Sequence, residues 1–258
     1  MAKMEKPQVA TRYTTPALEK GLDILELFAS TPEELSKREV ARRLGRTVSE
    51  IFRMLVCLEQ RGYLAQATEE DRLRLTLKLF ELAQEYPPVK RLATKAVPVM
   101  QNLTHKINQS CHLGVLDGGK IIIVAQVDSP ASTGFYVKAG SSVDLMEAAT
   151  GHVILAHQLP ETRIRAINKW QLETERKIPA DLDRHLEKIR RQGFEERASY
   201  QVDGVINISN PIFDNQHHAI AALTVPFLKR IKDPTTTKEV RIHLQKAAFE
   251  ISRELGGA

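Results

Sequence analysis

The residues in this chain best suited to chemistry are cationic and closely spaced. Between residues 36 and 63 stand seven basic side chains (Lys37, Arg38, Arg42, Arg43, Arg46, Arg53 and Arg61). Only three acidic ones, Glu39, Glu50 and Glu59, oppose them, a local net charge of +4. At 100° per residue, Ile51, Met54, Leu55 and Leu58 fall on one side of a helix and face a core. Arg46, Ser49, Arg53, Val56 and Gln60 then point the other way. Set in a DNA major groove, such a helix brings its first turns to the base edges. Arg53 suits guanine, Val56 a thymine methyl, and Ser49 a base or a phosphate. The helix N-terminus beside the Thr47 hydroxyl suits a phosphate. Lys37, Arg38, Arg42 and Arg43 in front, and Arg72 behind, supply phosphate contacts. Glu69, Glu70 and Asp71 oppose them, because their charge repels phosphate.

Nucleophilic and metal chemistry is sparse. Ser141-Ser142 near Asp144 and His152 offers nucleophile, acid and base residue types, but no GxSxG elbow frames them. The eight histidines form no HExxH or other metal-ligand spacing, so no metal and no cofactor is expected. His152, near a helix start, is expected to be structural. Cys57 and Cys111 lie far apart without a CxxC pair, against a disulfide framework or a thiolate zinc site. Asp117-Gly118-Gly119 is a hairpin turn rather than a phosphate loop.

The elements that would position these residues can be read in order. Residues 1–14 are polar and aperiodic, a flexible tail. Thr15-Pro16 opens a helix with an apolar stripe of Leu18, Leu22, Leu25 and Phe28, broken at Ser30-Thr31-Pro32. Ser36-Lys37-Arg38-Glu39 and Thr47-Val48-Ser49-Glu50 are capping boxes, each starting a short helix. Gly45 suits the left-handed turn between them. The second helix runs from Val48 to Gln60 and stops at Gly62. Two short strands follow, Tyr63–Gln66 and Arg72–Leu75. Three helices and a hairpin over 15–74 make a winged helix-turn-helix. A linker helix over 75–88 carries Leu75, Leu79 and Leu82 on one face and ends at Pro87-Pro88.

The remainder, 89–258, mixes strands and helices as an α+β sheet domain. A helix over Val89–Ile107 is kinked or interrupted at Pro98. Strands are expected at Cys111–Leu116, Lys120–Val127, Phe135–Val137, Val205–Phe213 and Ile220–Val225. Helices are expected at Ala148–Gln158, Leu182–Arg191 and Thr237–Leu255. The whole chain carries 37 basic against 32 acidic residues, a net +5 compatible with a polyanionic partner. Its 42% hydrophobic content excludes a disordered chain. No apolar run approaches the roughly 20 residues of a membrane span. The first residues lack a signal-peptide core, so a cytoplasmic location is expected.

Four stretches are similar to the IclR (isocitrate-lyase-regulator) family of bacterial transcription factors. Ala17–Phe28 resembles its opening helix. Ser49–Leu55 with Leu58–Tyr63 resembles its recognition helix and the exit into the wing. Glu147–His152 through Leu155-Ala156 resembles the helix start beneath its ligand pocket, and Gly204-Val205 through Asp214 its late strand. The resemblance covers nearly the whole chain in order. It implies a winged-helix domain, a linker helix and a GAF-like effector-binding domain. It also implies double-stranded operator DNA as partner, a small-molecule effector such as an organic acid, and a homodimer or dimer of dimers. The family's pocket positions correspond to Val143, Ala149, Thr150, Gly151, Val205, Asn207, Thr224 and Pro226, and Leu145 beside them suits the same apolar surroundings. The apolar ones would form a wall, and Thr150, Asn207 and Thr224 would supply donors and acceptors. The amides of Thr150 and Gly151 would favour an anionic end, and Arg197 either clamps a carboxylate or forms a surface ion pair with Glu195 or Glu196. The sequence departs from the family's pattern at His152, where lysine is frequent, at Arg197 and Tyr200 in a commonly acidic stretch, and at Pro226. The expectation is a ligand-responsive regulator of a catabolic operon that is not an enzyme. The alternative is a metabolite-binding module acting through protein partners.

Overall fold

The computed structural model describes residues 14–67, 71–231 and 233–257. The expected tail over 1–14 therefore lies outside the described residues except for Thr14, as do Glu69 and Glu70 of the wing. The chain divides into two compact units, with the boundary between Pro87 and Pro88.

The first unit contains α1 (Pro16–Ala29), β1 (Leu35–Ser36), α2 (Lys37–Arg43), α3 (Val48–Gln60), β2 (Leu64–Gln66), β3 (Arg72–Leu75) and α4 (Lys78–Glu85). Both capping boxes form. The Ser36 N–H donates to Glu39 Oε2 at 2.8 Å, and the Thr47 N–H donates to Glu50 Oε2 at 2.8 Å. These bonds hold both glutamates below their ordinary carboxylate pKa. Gly45, at φ 65°, reverses the chain between α2 and α3 while the Arg46 N–H reaches back to the Ala41 carbonyl at 2.9 Å. Ile24, Phe28, Val40, Ile51, Leu55, Leu64 and Leu73 close one core under the three helices and the sheet. That sheet has the order β1-β3-β2, all antiparallel. Leu75, expected to begin a helix, is instead the last residue of β3, paired with Leu64. The Arg72–Leu75 alternation carries the strand that far, and α4 starts only at Lys78. The expected stripe of Leu75, Leu79 and Leu82 is thus not one helix face.

The second unit contains α5 (Pro87–Ile107), β4 (Cys111–Asp117), β5 (Lys120–Val127), β6 (Ser142–Asp144), α6 (Ala149–Ala156), α7 (Pro160–Thr174), α8 (Leu182–Gln192), β7 (Glu195–Ala198), β8 (Val205–Phe213), β9 (Ala219–Leu228) and α9 (Thr237–Glu254). An antiparallel sheet of order β6-β5-β4-β9-β8-β7 runs through it. Alternation along the strands feeds two cores. Leu113, Ile208, Leu223 and Val225 pack with α5 and α9 on one face. Ile121, Ile123, Val143 and Ala222 pack with α6, α7 and α8 on the other. Two expectations change here. Of the kink or interruption expected at Pro98, the interruption does not occur: α5 continues through it as one helix. Phe135–Val137 is not a strand; the third strand is β6, where Val143 turns inward between Ser142 and Asp144 and pairs with Ile121. The sequence also hid α7 and β7. Among the residues of α7 only Ala166 and Trp170 are buried, and β7 is a short edge strand of mostly polar residues. Among the described residues, no helix is long and apolar enough to cross a membrane.

Candidate nucleic-acid interface and effector pocket

The outer surface of α2 and α3 sorts the predicted cations into two groups. Arg38, Arg42, Ser49 and Arg53 are exposed, and none of the three arginines makes an ion pair among the described residues. Lys37 lies half-buried with its ammonium 5.8 Å from the centre of the Phe52 ring. The others are engaged within the unit. Arg43 pairs with Glu33 at 2.9 Å and Arg46 with Asp23 at 2.9 Å. Arg72 donates to the Glu34 carbonyl at 2.7 Å and lies 3.4 Å from Glu39. The Thr47 hydroxyl accepts from the Glu50 N–H, so its place is the cap of α3. Val56 is half-buried. The exposed face of α3 also holds Phe52 and Cys57, which the reading of the sequence passed over. Cys57 lies one helical turn after Arg53, on the same side.

In the second unit, α6 lies against β8 and β9, and its first turn borders a small, partly open cavity. Val143, Ala149, Thr150, Asn207 and Thr224 line it, five of the predicted positions. His112, Phe135, Val137, Ala148, Ser199, Tyr200 and Gln201 complete the wall. His112 was legible in principle, since it sits at an inward alternation of β4 directly across from Thr224. The loop residues carry no periodic signal. Three buried hydroxyls form a chain: Thr150 Oγ1 to Thr224 Oγ1 at 2.8 Å, and Thr224 Oγ1 to Ser209 Oγ at 2.7 Å. The cavity has about 20 Å³, room for a water, which needs ~10–15 Å³ on the same measure. Tyr200 helps shut it, its hydroxyl accepting from the Asp144 N–H at 3.2 Å.

The remaining predicted positions lie elsewhere. Leu145 is buried, and its carbonyl presses against α6: a Cβ on Gly151 would stand 2.1 Å from that oxygen. Close approach thus requires glycine here. The Gly151 N–H donates to the Ala148 carbonyl at 3.1 Å and is not aimed at the cavity. Val205 and Pro226 are buried and pair with Leu228 and Asn207 across the sheet. Arg197 lines a different hollow of about 460 Å³, and its Nη1 lies 2.9 Å from His152 Nδ1.

Residues 17–68 match the IclR helix-turn-helix domain, and residues 85–253 match the C-terminal domain of bacterial IclR transcriptional regulators. The chain belongs to the IclR family. Among curated relatives, it is 27% identical to the transcriptional regulator XynR of Escherichia coli, over 93% of this chain and 97% of that one. It is 29% identical to the regulator KdgR of the same organism, over 86% of each. Its fold is that of the IclR protein of Thermotoga maritima (TM-score 0.70, 24% identity, 93% and 98% covered). It is also that of an IclR homologue from Microbacterium hydrocarbonoxydans solved with 4-hydroxybenzoate (TM-score 0.74, 21% identity, 93% and 98% covered).

IclR-family members are DNA-binding transcriptional regulators and not enzymes. In the serine-rich stretch, Asp144 accepts from the Met146 and Glu147 amides and the Trp170 indole and pairs with Arg176 at 3.2 Å. The Ser141 hydroxyl donates to the Lys138 carbonyl at 2.6 Å.

Proposed function

We propose that this IclR-family chain regulates a catabolic operon by binding operator DNA through α2 and α3, and that a small organic acid seated under α6 alters that binding. The observation that carries the DNA reading is the exposed Ser49–Arg53 face of α3, with Arg38 and Arg42 beside it on α2. Arg53 reads a base. Arg38, Arg42 and Lys37 hold phosphates. Thr47 and Arg46 fix the pose of α3 through its cap and through Asp23. Arg53→Ala should cost roughly 1–3 kcal/mol at one operator position. Arg42→Ala should weaken all sequences alike and flatten the salt dependence. Fluorescence anisotropy against the promoter fragment distinguishes the two, and unchanged affinity in both variants would remove α3 from the groove.

The effector reading rests on the convergence of polar groups at the small cavity and on the 4-hydroxybenzoate complex of the similar fold. Asn207, His112, Tyr200 and the Thr150–Thr224 hydroxyls hold the polar end, and Val143, Ala149, Phe135 and Val137 enclose the rest. Because the cavity as it stands holds a water and little more, the Ser199–Gln201 and Phe135–Val137 loops must part to admit a ligand. Ala149→Leu fills the site and should abolish the ligand-dependent rise in melting temperature while operator binding persists. Tyr200→Ala opens the wall and should speed ligand entry. Parent-like ligand binding in Ala149→Leu would place the pocket elsewhere. The chain also acts as a homodimer. Leu18 and Leu22 on α1 and Phe80 and Leu82 on α4 are exposed, an apolar area that a subunit contact would cover. A stable monomer in sedimentation with intact operator binding would contradict it.

A further inference from the structure

The hollow beside Arg197 holds a cluster of side chains that the regulator reading leaves unused. His152 on α6, His185 on α8 and Glu195 on β7 each bring a potential ligand atom to within 4.8 Å of the others. The two imidazole rings stand 5.0 Å apart between centres, at 68° to one another. His185 Nε2 lies 3.2 Å from Glu195 Oε2. His152 and Glu195 are 5% and 4% exposed. The consecutive elements α8 and β7 thus converge with the earlier α6 on one point, and no short ligand spacing marks such a meeting in the sequence.

We propose that His152, His185 and Glu195 form a binding site for a divalent transition-metal ion of the zinc class. Two imidazoles and a carboxylate are the ligand set of open zinc sites, with the fourth position left for water or a ligand. Borderline nitrogen ligands exclude calcium and magnesium, which take oxygen. Ligand atoms around a tetrahedral ion with bonds of ~2.0–2.2 Å stand ~3.3–3.6 Å apart. The His185–Glu195 edge already matches, and the remaining edges need ring movements of about an ångström. The hollow, lined also by Met146, Trp170 and Lys188, gives the ion a route from solvent.

Arg197 makes the site conditional. Its guanidinium has no acceptor and only donates, so His152 Nδ1, 2.9 Å away, uses its lone pair on it. A neutral imidazole has a single such lone pair. Coordination through Nδ1 takes it directly, and coordination through Nε2 leaves Nδ1 protonated and facing a donor. Metal binding and the Arg197–His152 bond are therefore mutually exclusive on either nitrogen. The fixed cation of Arg197 holds the place that the metal's charge would take.

The test uses the full, untagged, chelator-stripped chain, titrated with zinc by calorimetry and with cobalt by visible absorption. The parent should bind one ion per chain with the absorption of tetrahedral cobalt. His185→Ala, at a partly exposed position, should lose at least the ~10–100-fold in affinity that removal of an outer-shell partner costs, as should Glu195→Gln. Arg197→Met, which removes the competitor and no ligand, should bind more tightly than the parent. A His217→Ala/His218→Ala variant should bind as the parent does. No tetrahedral cobalt signal in the parent and in Arg197→Met, or parent-like affinity in His185→Ala, would overturn the site.

Discussion

Acid should destabilise the second unit through His112. This imidazole is 3% exposed, on β4 between the sheet and the α6 layer, and its Nδ1 has no hydrogen-bond partner among the described residues. Burial pushes its pKa from the ordinary 6.5 down to about 4. Above pH 6.5 the ring is neutral in the folded and the unfolded chain alike. Between pH 6.5 and about 4 the unfolded chain takes up a proton that the folded chain refuses, so stability falls as pH falls, by up to ~1.4 kcal/mol per pH unit. Below about 4 both states carry the proton and the loss is complete, at about 3 kcal/mol in all. Trp170, the single tryptophan, is buried in the same unit and reports its unfolding by fluorescence. Urea titrations at a series of pH values should show the slope in the parent and a shallower one in His112→Gln. Parallel curves for parent and variant would refute the assignment, because every other titrating group is common to both.

Two further predictions follow from close contacts and from exposure. Gly151→Ala should lower the melting temperature, at a cost of about 1–3 kcal/mol, because its Cβ meets the Leu145 carbonyl, which is backbone and cannot turn aside; Gly21→Ala, in mid-helix with nothing within 4 Å, should instead stabilise by ~0.5–1 kcal/mol, and shifts of the same sign would contradict the contact. One thiol should react rapidly with a disulfide reagent, since Cys57 is exposed whereas burial pushes the Cys111 thiol up to about 12; operator DNA should slow that reaction, and fast labelling that survives in Cys57→Ser, or ignores DNA, would argue against the α3 placement.

The first unit was readable because its signals are local. A capping box is four residues long, and a glycine in the left-handed region is one, so α2, the turn at Gly45 and α3 could be placed from sequence alone. The second unit depends on pairings between residues far apart. The inward positions of β8, Val205, Asn207 and Ser209, alternate with Ile206 and Ile208, but both faces of the sheet are covered, so polarity does not mark the inside. Arg197 shows the limit most clearly. Its residue type suits a carboxylate clamp, yet its position on β7 turns it to His152, a partner 45 residues away. No sequence pattern could have chosen between those two roles. Gly151 is the converse case. Its place at a helix start suggested an anion site, whereas what the structure adds is close packing against the Leu145 carbonyl, a contact that no local pattern announces.

The pairing register explains why two hollows lie on the same helix. Glu195 stands opposite Ser209, Ser209 opposite Thr224, and Thr224 opposite His112, a continuous polar row across β7, β8, β9 and β4. All four residues are buried beneath α6. Such a row costs stability wherever a polar group lacks a partner. Its middle is satisfied internally, since Thr224 bonds both Ser209 and Thr150. Its ends are not closed in the same way. The His112 end borders the small cavity, with Ala149 and Thr150 of α6 above it. The Glu195 end borders the larger hollow, with His152 of α6 above it. At the Glu195 end the row continues into His185, whose Nε2 lies 3.2 Å from Glu195 Oε2, whereas at the His112 end Nδ1 has no partner among the described residues. On the proposed function, a ligand in the small cavity would supply the partner that His112 lacks, and both ends are roofed by the same eight-residue helix.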